Sequence, residues 1–183
     1  LLDGATRINE ACAYARETGM DSLAITDHGN MHGVITFYEA CQANGIKPII
    51  GCEVYVARES RLKKTEGTND RPYHFVLLAE TDQGYKNLLR IVSRGYLEGF
   101  YYKPRVDLEV LSEHSEGLLA LTACIEGEVP QHLALGDEER AQRALERYRD
   151  IFGKDNLYVE LQRNGVQGQE QVNRALVEIA RKN

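Results

Sequence analysis

The sequence predicts an α/β fold in which short parallel strands alternate with helices along the whole chain. Continuous apolar runs of strand length, such as LAIT and LLALTA, are typical of strands that are buried on both faces. Between these runs, apolar residues recur at intervals of three and four, which is typical of helices that cover a sheet. An open sheet and a closed barrel both fit this alternation, because it does not specify the order of the strands.

The elements of the first half of the chain follow from local patterns. Apolar residues at helical spacing predict a first helix that ends at Gly19 and a second that ends near Gly45. LAIT forms the first strand between them. PIIGCEVYVA, which Pro48 opens, is the second strand, and YHFVLLA is the third. The polar stretch RESRLKKTEGTNDRP between these two strands is predicted to be a long surface loop.

The second half continues the alternation. Residues 85–96 predict a third helix, and a short helix lies near EVLSEH. GLLALTA and LYVELQ are the fourth and fifth strands. Residues 141–152 and 172–179 have the apolar spacing of two further helices, each with one face directed at the sheet.

Composition narrows the class of function. Hydrophobic residues make up 43% of the 183 residues and charged residues 27%, which is ordinary for a globular protein. The formal net charge of -6 argues against a protein that holds nucleic acid through a broad basic face. A local basic strip or bound metal cations remain compatible with a phosphate-rich substrate.

Targeting features are missing from the sequence. No apolar run approaches the roughly 18 residues that a membrane-spanning helix needs, and LLDGATRINE does not have the pattern of a signal peptide. The four cysteines are scattered without a CxxC pair, so a reducing, cytoplasmic setting is predicted. The chain starts without methionine and stops within a helical pattern, and we therefore expect a fragment of a longer protein, truncated at both ends.

Polar side chains follow or interrupt three of the apolar strands. Asp27 and His28 come directly after the first strand, Cys124 follows LLALTA, and Glu53 lies in the carboxyl half of the second strand. Parallel α/β folds place function at the carboxyl ends of their strands. A carboxylate in an apolar strand also requires a charged or hydrogen-bonding partner. These potential metal ligands are therefore expected to converge on one face of the sheet.

Each of these residues also has a purely structural interpretation. An Asp-His pair after a strand commonly forms a turn or a helix cap, and a lone cysteine there is commonly a small buried apolar residue. A single glutamate in a strand can pair with a lysine. Only the conjunction of the three favours a ligand cluster over these alternatives.

Other polar residues are weaker candidates from position alone. His74 opens YHFVLLA instead of closing it, so the strand-end argument does not place it at the same rim. Asp3 precedes a helix and reads as a cap. The strip YYKPR combines aromatic rings with Lys103 and Arg105, as surfaces for single-stranded nucleic acid do, although ordinary loops have similar composition.

The usual nucleotide and nucleophile motifs of α/β proteins do not occur. The sequence contains neither GxxxxGK[ST] nor a GxGxxG that follows a strand. It also lacks the GxSxG nucleophile elbow. His32, His114 and His132 lie in helical or loop contexts and read as ordinary surface or core histidines.

Several segments together resemble one family. These are LLDGA, SLAITDHGNMHG, GIKPIIGCEVYVA, YHFVLLAE, GYKNLLRIVSRGYLEGFYYKPRVD and LLALTAC. They are similar, in this order, to the amino-terminal PHP (polymerase and histidinol phosphatase) domain of bacterial DNA polymerase III alpha subunits. The resemblance covers nearly the whole chain and implies a distorted seven-stranded β/α barrel, here lacking its first and last strands.

The resemblance implies a metal site at the carboxyl rim of this barrel. The family's ligand pattern maps onto Asp3, His28, Glu53, His74 and Cys124, and its cluster holds up to three metal ions. A first His-x-His pair would precede Leu1 and a closing Asp-x-His would follow Asn183, so the fragment is expected not to assemble the full site. Oxygen, nitrogen and sulfur ligands suit zinc or manganese, which can activate water and hold the oxygens of a phosphoester.

The resemblance also implies a function and its alternatives. Family members that retain every ligand are associated with 3′ to 5′ exonuclease proofreading, with Lys103 and Arg105 as candidate contacts to the substrate. The parent protein would be a DNA-directed DNA polymerase with magnesium at a polymerase site absent here, and with DNA and other holoenzyme subunits as partners. A structural metal-binding domain and a free-standing phosphoesterase are the alternatives.

Overall fold

The computed structural model describes residues 4–64 and 71–183, in which helices and strands alternate. The strands are β1 (Ser22–Ile25), β2 (Lys47–Val56), β3 (Tyr73–Ala79), β4 (Phe100–Tyr101), β5 (Lys103–Val106), β6 (Leu118–Leu121) and β7 (Leu157–Tyr158). The helices are α1 (Ile8–Glu17), α2 (Val34–Asn44), α3 (Asp82–Leu97), α4 (Leu108–Glu113), α5 (Glu128–Ala134), α6 (Glu138–Phe152) and α7 (Gln169–Lys182). Within the described ranges, no helix combines the length and the apolar character needed to cross a membrane.

The seven strands form one mixed, open sheet, so the α/β class is confirmed and the prediction of a parallel sheet is wrong. The order is β4-β5-β2-β3-β6-β7, and β1 pairs with β2. β3 runs antiparallel to both β2 and β6, whereas the pairs β1–β2, β2–β5 and β6–β7 are parallel. A parallel pair needs a long crossover, usually a helix. The sequence predicts a loop and no helix between β2 and β3, and this connection favours the antiparallel arrangement.

Three elements differ from the sequence-based expectation. The hairpin of β4 and β5 was not predicted, because Pro104 argues against a strand. Pro104 is tolerated in β5 because β5 pairs with β2 only through Arg105 and Val106, and Pro104 itself lies opposite Phe100 in the short β4–β5 pair. The short helix α5 was also missed, and the predicted strand LYVELQ is a strand only over Leu157–Tyr158.

Two apolar clusters hold these layers together. The larger cluster lies between the sheet and α3 to α7, and in it the ring of Phe75 stacks on Tyr148 with centroids 4.3 Å apart. The smaller cluster packs α1 and α2 on β1 and the start of β2. In it the fully buried thiols of Cys12 and Cys41 lie 3.5 Å apart as free cysteines.

The predicted surface loop after β2 is anchored at its start. Arg61 is only 5% exposed, and its guanidinium donates to Asp107 Oδ1 at 2.9 Å and to Glu98 Oε2 at 2.6 Å. Its backbone N–H also donates to Asp107 Oδ2. Residues 58–64 otherwise form a loop with mostly exposed side chains, as predicted, and Arg61 is the buried exception, since a buried charge requires such partners. Residues 65–70 of the predicted loop lie outside the described residues.

The first turn of α3 approaches the backbone before β6 so closely that only glycine fits. A Cβ atom on Gly84 would lie 1.8 Å from the carbonyl oxygen of Gly117. Gly117 itself has a φ of +73°, and Thr81 Oγ1 accepts a hydrogen bond from the Gly84 N–H. This contact sets the position of α3 against the sheet.

We expect Gly84→Ala to lower the free energy of unfolding by about 3 kcal/mol, because the backbone that it meets cannot move independently of β6. Gly95→Ala in the same helix is the matched control. Its Cβ would meet Pro104 O and Val106 Cγ1 at 3.4 Å, and alanine gains about 1 kcal/mol of helix propensity there. Urea unfolding of the two variants measures the difference. Equal stability of both would contradict the packing described.

Candidate metal centre

The sheet hydrogen bonds between β1 and β2 continue beyond the end of β1 and fix His28. The N–H of Glu53 donates to Asp27 O at 3.0 Å, and the N–H of Gly29 donates to Glu53 O at 2.7 Å. His28 and Glu53 thereby form a parallel bridge. The loop TDHG is thus an extension of the sheet, which holds the imidazole of His28 beside the carboxylate of Glu53.

Glu53 is the centre of the cluster. Its Oε1 lies 2.7 Å from His28 Nδ1 and 2.8 Å from His74 Nδ1, and the residue is 8% exposed. Two imidazoles therefore share one carboxylate oxygen. Two residues before Glu53, the backbones of β2 and β3 approach so closely that a Cβ on Gly51 would lie 2.6 Å from Leu77 O.

His74 joins the cluster because β3 is antiparallel to β2. The start of β3 lies beside the end of β2, and His74 is directly opposite Tyr55. Residues two apart in a strand face the same side, so Glu53 is a diagonal neighbour of His74 on that face. The strand-end argument did not place His74 at this rim because it assumed that β3 is parallel to β2. That assumption is wrong.

Cys124 reaches the cluster through a tight turn after β6. Gly127 closes this turn, and a Cβ on it would lie 2.1 Å from Thr122 O. Ala123 has a φ of 60°, a left-handed conformation that is uncommon for a residue with a side chain. This turn places Cys124 Sγ 3.5 Å from His74 Nδ1.

These contacts shift the pKa values of two cluster members. Burial acts to lower the pKa of His74, but hydrogen bonds to Cys124 and Glu53 and their charges outweigh burial and raise the pKa to about 9. Burial acts to raise the pKa of Glu53, but the hydrogen bonds and charges of His74 and His28 leave it below its usual value. The centre thus stabilises a carboxylate beside a protonated imidazole, and a metal ion would replace that proton.

The donor set fits a transition-metal ion. One oxygen of Glu53, one nitrogen of His74 and the sulfur of Cys124 all lie within 4.8 Å of one another. Zinc binds such oxygen, nitrogen and sulfur ligands at about 2.0–2.3 Å in tetrahedral geometry. The thiolate favours zinc over harder ions, whereas the carboxylate and imidazole also suit manganese. His28 adjoins the same carboxylate and can complete the set.

The remaining candidates are placed differently. Asp3 lies outside the described residues. Asp27 Oδ2 accepts a hydrogen bond from the N–H of Gly33, the residue before α2, and so closes the turn between β1 and α2. His114 ends α4, and His132 lies in α5 beside Tyr73.

The two cations of the YYKPR strip have different environments. Arg105 is 1% exposed, and its guanidinium donates to the backbone oxygens of Gly99, Arg61 and Lys63. The charge of Arg105 is therefore buried among backbone oxygens, which indicates a structural role in place of the predicted contact with substrate. Lys103 is exposed and lies over the ring of Tyr55, so it stays a candidate.

Glu160 is a residue that the sequence interpretation missed. It follows β7, and its Oε2 is buried without a hydrogen-bond partner among the described residues. It lines a small cavity together with Cys124, Gln162 and Gln169. A charged residue just beyond a strand was visible in LYVELQ, but the strand was predicted to run through it.

Family comparison agrees with this architecture. The PHP domain family model matches residues 1–164. The match covers most of the chain, so the chain belongs to the PHP domain family. Its mixed sheet carries side chains that can bind a metal at the ends of strands.

The similar curated proteins are DNA polymerase III subunits alpha. The chain is 45% identical over 181 residues to that of Treponema pallidum, covering 98% of the chain and 16% of the relative. It is 44% identical over 188 residues to that of Aquifex aeolicus, covering 100% of the chain and 16% of the relative. For Thermus aquaticus it is 45% identical over 186 residues, covering 100% and 15% respectively. The chain thus spans about 15% of the length of these relatives.

Proposed function

We propose that this chain is the PHP domain of a bacterial DNA polymerase III alpha subunit and that its cluster hydrolyses the terminal phosphodiester bond of a DNA 3′ end. The observation that carries the proposal is the convergence of Glu53, His74 and Cys124 within 4.8 Å. The family match and the polymerase relatives support the identity of the parent protein.

Glu53, His74 and Cys124 would hold zinc or manganese, with His28 and Asp3 as further proposed ligands. When bound, such an ion activates water and stabilises the charge that develops on phosphoester oxygens. The His-x-His and Asp-x-His pairs of the family pattern would supply further ligands from the parent protein.

The side chains of the cluster have separable roles. Glu53 accepts hydrogen bonds from both imidazoles and thereby fixes their rings and tautomers. The imidazole of His28 is 43% exposed, compared with 22% for His74, so His28 is the member that faces an approaching substrate. Glu53 is buried and His74 and Cys124 are half-buried, which reduces the screening by water and strengthens their interaction with a cation.

The activity of the parent protein belongs to the same proposal. DNA-directed DNA synthesis, with magnesium at a separate polymerase site, would reside outside this chain, which spans about 15% of its relatives. DNA and the other subunits of the holoenzyme would be partners, and the compartment would be the cytoplasm. A free-standing phosphoesterase has less support because polymerase subunits match 98–100% of the chain.

A structural metal site is the second candidate function. The four side chains come from the loop after β1, from β2, from β3 and from the turn after β6. An ion held there would join four segments that are distant in sequence. It would then stabilise the domain without catalysing a reaction.

The experiment compares the full-length native protein with Cys124→Ala for bound metal and for release of the 3′-terminal nucleotide from single-stranded DNA. We expect the variant to lose both, since the thiolate is a direct ligand. Cys12→Ala, which removes a buried thiol in α1, is the control and is expected to retain both.

The two candidate functions give different results. Metal bound to the native protein without any nucleotide release would support the structural role and overturn the catalytic one. Full metal content and full release in Cys124→Ala would contradict both.

A further inference from the structure

The β4–β5 hairpin presents aromatic rings and a cation beside the cluster. Tyr102 connects the two strands and is 82% exposed. Its φ of 57° is left-handed, which is uncommon for tyrosine. Its ring meets that of Tyr101 edge-on, with centroids 4.7 Å apart. The hairpin thus holds a large apolar ring in solvent at a conformational cost.

Tyr55 connects this hairpin to the metal ligands. The ammonium of Lys103 lies 4.2 Å from the centroid of the Tyr55 ring and donates to its hydroxyl at 2.9 Å. The same ring contacts the imidazole of His74, with centroids 5.2 Å apart. Lys103 is therefore separated from a proposed ligand by a single buried side chain.

Gly29 brings the His28 loop against the same hairpin. A Cβ on Gly29 would lie 2.8 Å from Tyr55 Cε2 and 2.9 Å from Pro104 Cγ. Gly29 directly follows His28 and has a φ of +68°. The loop that carries His28 therefore packs closely against Pro104 of the β4–β5 hairpin.

The chemistry of Tyr102 and Lys103 matches that of a nucleotide. Aromatic rings stack on bases of any sequence, and a lysine ammonium acts as a point charge for a phosphate. In the described part of the chain, Lys103 contacts a hydroxyl and a ring face and no carboxylate, so its charge can serve an anion.

We propose that Tyr102 and Lys103 form a subsite for one nucleotide of single-stranded DNA. The base stacks on Tyr102, and Lys103 contacts the phosphate on the side toward the cluster. This inference rests on the proposed phosphodiesterase function, for which it defines the substrate as an unpaired strand end.

A protein surface is the other possible occupant of the hairpin. Phe100 of β4 and Leu97 just before the hairpin are exposed, and the ring of Phe100 stacks on Tyr96. Nucleic acid is favoured because the exposed ammonium of Lys103 lies over Tyr55, whose ring contacts His74, and an apolar partner surface would offer no counter-charge there.

The test is photo-crosslinking of the full-length protein to a single-stranded oligonucleotide with 5-iodouracil at the 3′ end, followed by peptide mapping. We expect crosslinks at Tyr102, loss of them in Tyr102→Ala, and retention in Tyr102→Phe. Lys103→Met should weaken oligonucleotide binding about tenfold or more, with a smaller dependence on salt. Tyr14→Ala, an exposed tyrosine of α1, and Lys154→Met are the controls, expected to behave as the native protein does.

The outcomes separate the subsite from the nuclease activity. Crosslinks at Tyr102 without nucleotide release support the subsite and remove the catalytic proposal. Nucleotide release with no crosslink between residues 100 and 105 overturns the subsite alone. A lower melting temperature of the full-length protein in both Tyr102 variants, with unchanged oligonucleotide binding, assigns the hairpin to a protein contact and also overturns it.

Discussion

Replacement of Glu53 by glutamine is expected to lower the metal affinity of the full-length protein at least 100-fold. The variant keeps the shape of the side chain and removes its charge. It also leaves His28 and His74, whose Nδ1 atoms lie 2.7 and 2.8 Å from Glu53 Oε1, without a common carboxylate. Loss of such an orienting partner alone costs about 10- to 100-fold in affinity, and Glu53 is in addition a proposed direct ligand. Competition with a chelator measures the affinity.

Glu126→Gln is the matched control for Glu53→Gln. Glu126 is an exposed carboxylate in the turn that contains Cys124, and its substitution removes the same charge close to the cluster. It should change metal affinity less than about threefold, as expected for a charge screened by water. Native affinity in Glu53→Gln, or an equal loss in both variants, would contradict the assignment of Glu53 as a ligand.

Asp107→Ala is expected to lower the free energy of unfolding by about 3–5 kcal/mol, the range for breaking a buried ion pair. Asp107 and Arg61 are 4% and 5% exposed. The carboxylate accepts from the guanidinium and the backbone N–H of Arg61, and it caps α4 through the N–H of Val110. Its removal leaves the Arg61 charge paired with Glu98 and Glu109, whose side chains are 35% and 65% exposed. Chemical unfolding measures the loss.

Asp137→Ala separates the cap from the buried pair. Asp137 is also an N-cap, since it accepts from the N–H of Arg140 at the start of α6, but its ion pair with Arg140 is exposed. The cap contributes about 1 kcal/mol. If Asp107→Ala were no more destabilising than Asp137→Ala, the Arg61 network would not anchor the segment after β2.

The sequence predicted most helices but not the direction of the strands. Periodicity identifies α1, α2, α3 and α6 because each buries one apolar stripe. A strand buried on both faces has the same apolar pattern in either direction, so YHFVLLA did not reveal that β3 is antiparallel. The hairpin of β4 and β5 was not predicted because its strands are short and contain Pro104, which lies opposite Phe100.

The side-chain cluster of the candidate metal centre could be predicted only in part. Strand-end position identified His28 and Cys124, and an unpaired charge in an apolar strand identified Glu53. His74 required either the family resemblance or the true direction of β3. The burial of Arg105 could not be predicted, because a cation in an aromatic strip is typically exposed, whereas its partners are backbone oxygens distant in sequence. Such long-range partners leave no local pattern.

X-ray absorption spectroscopy of the zinc-loaded full-length protein tests the central claim most directly. A centre built on Glu53, His74 and Cys124 predicts one sulfur at about 2.3 Å from zinc beside nitrogen and oxygen ligands at about 2.0–2.2 Å. The sulfur contribution should decrease by one ligand in Cys124→Ser. A spectrum that is identical in the native protein and in Cys124→Ser would contradict the proposed centre.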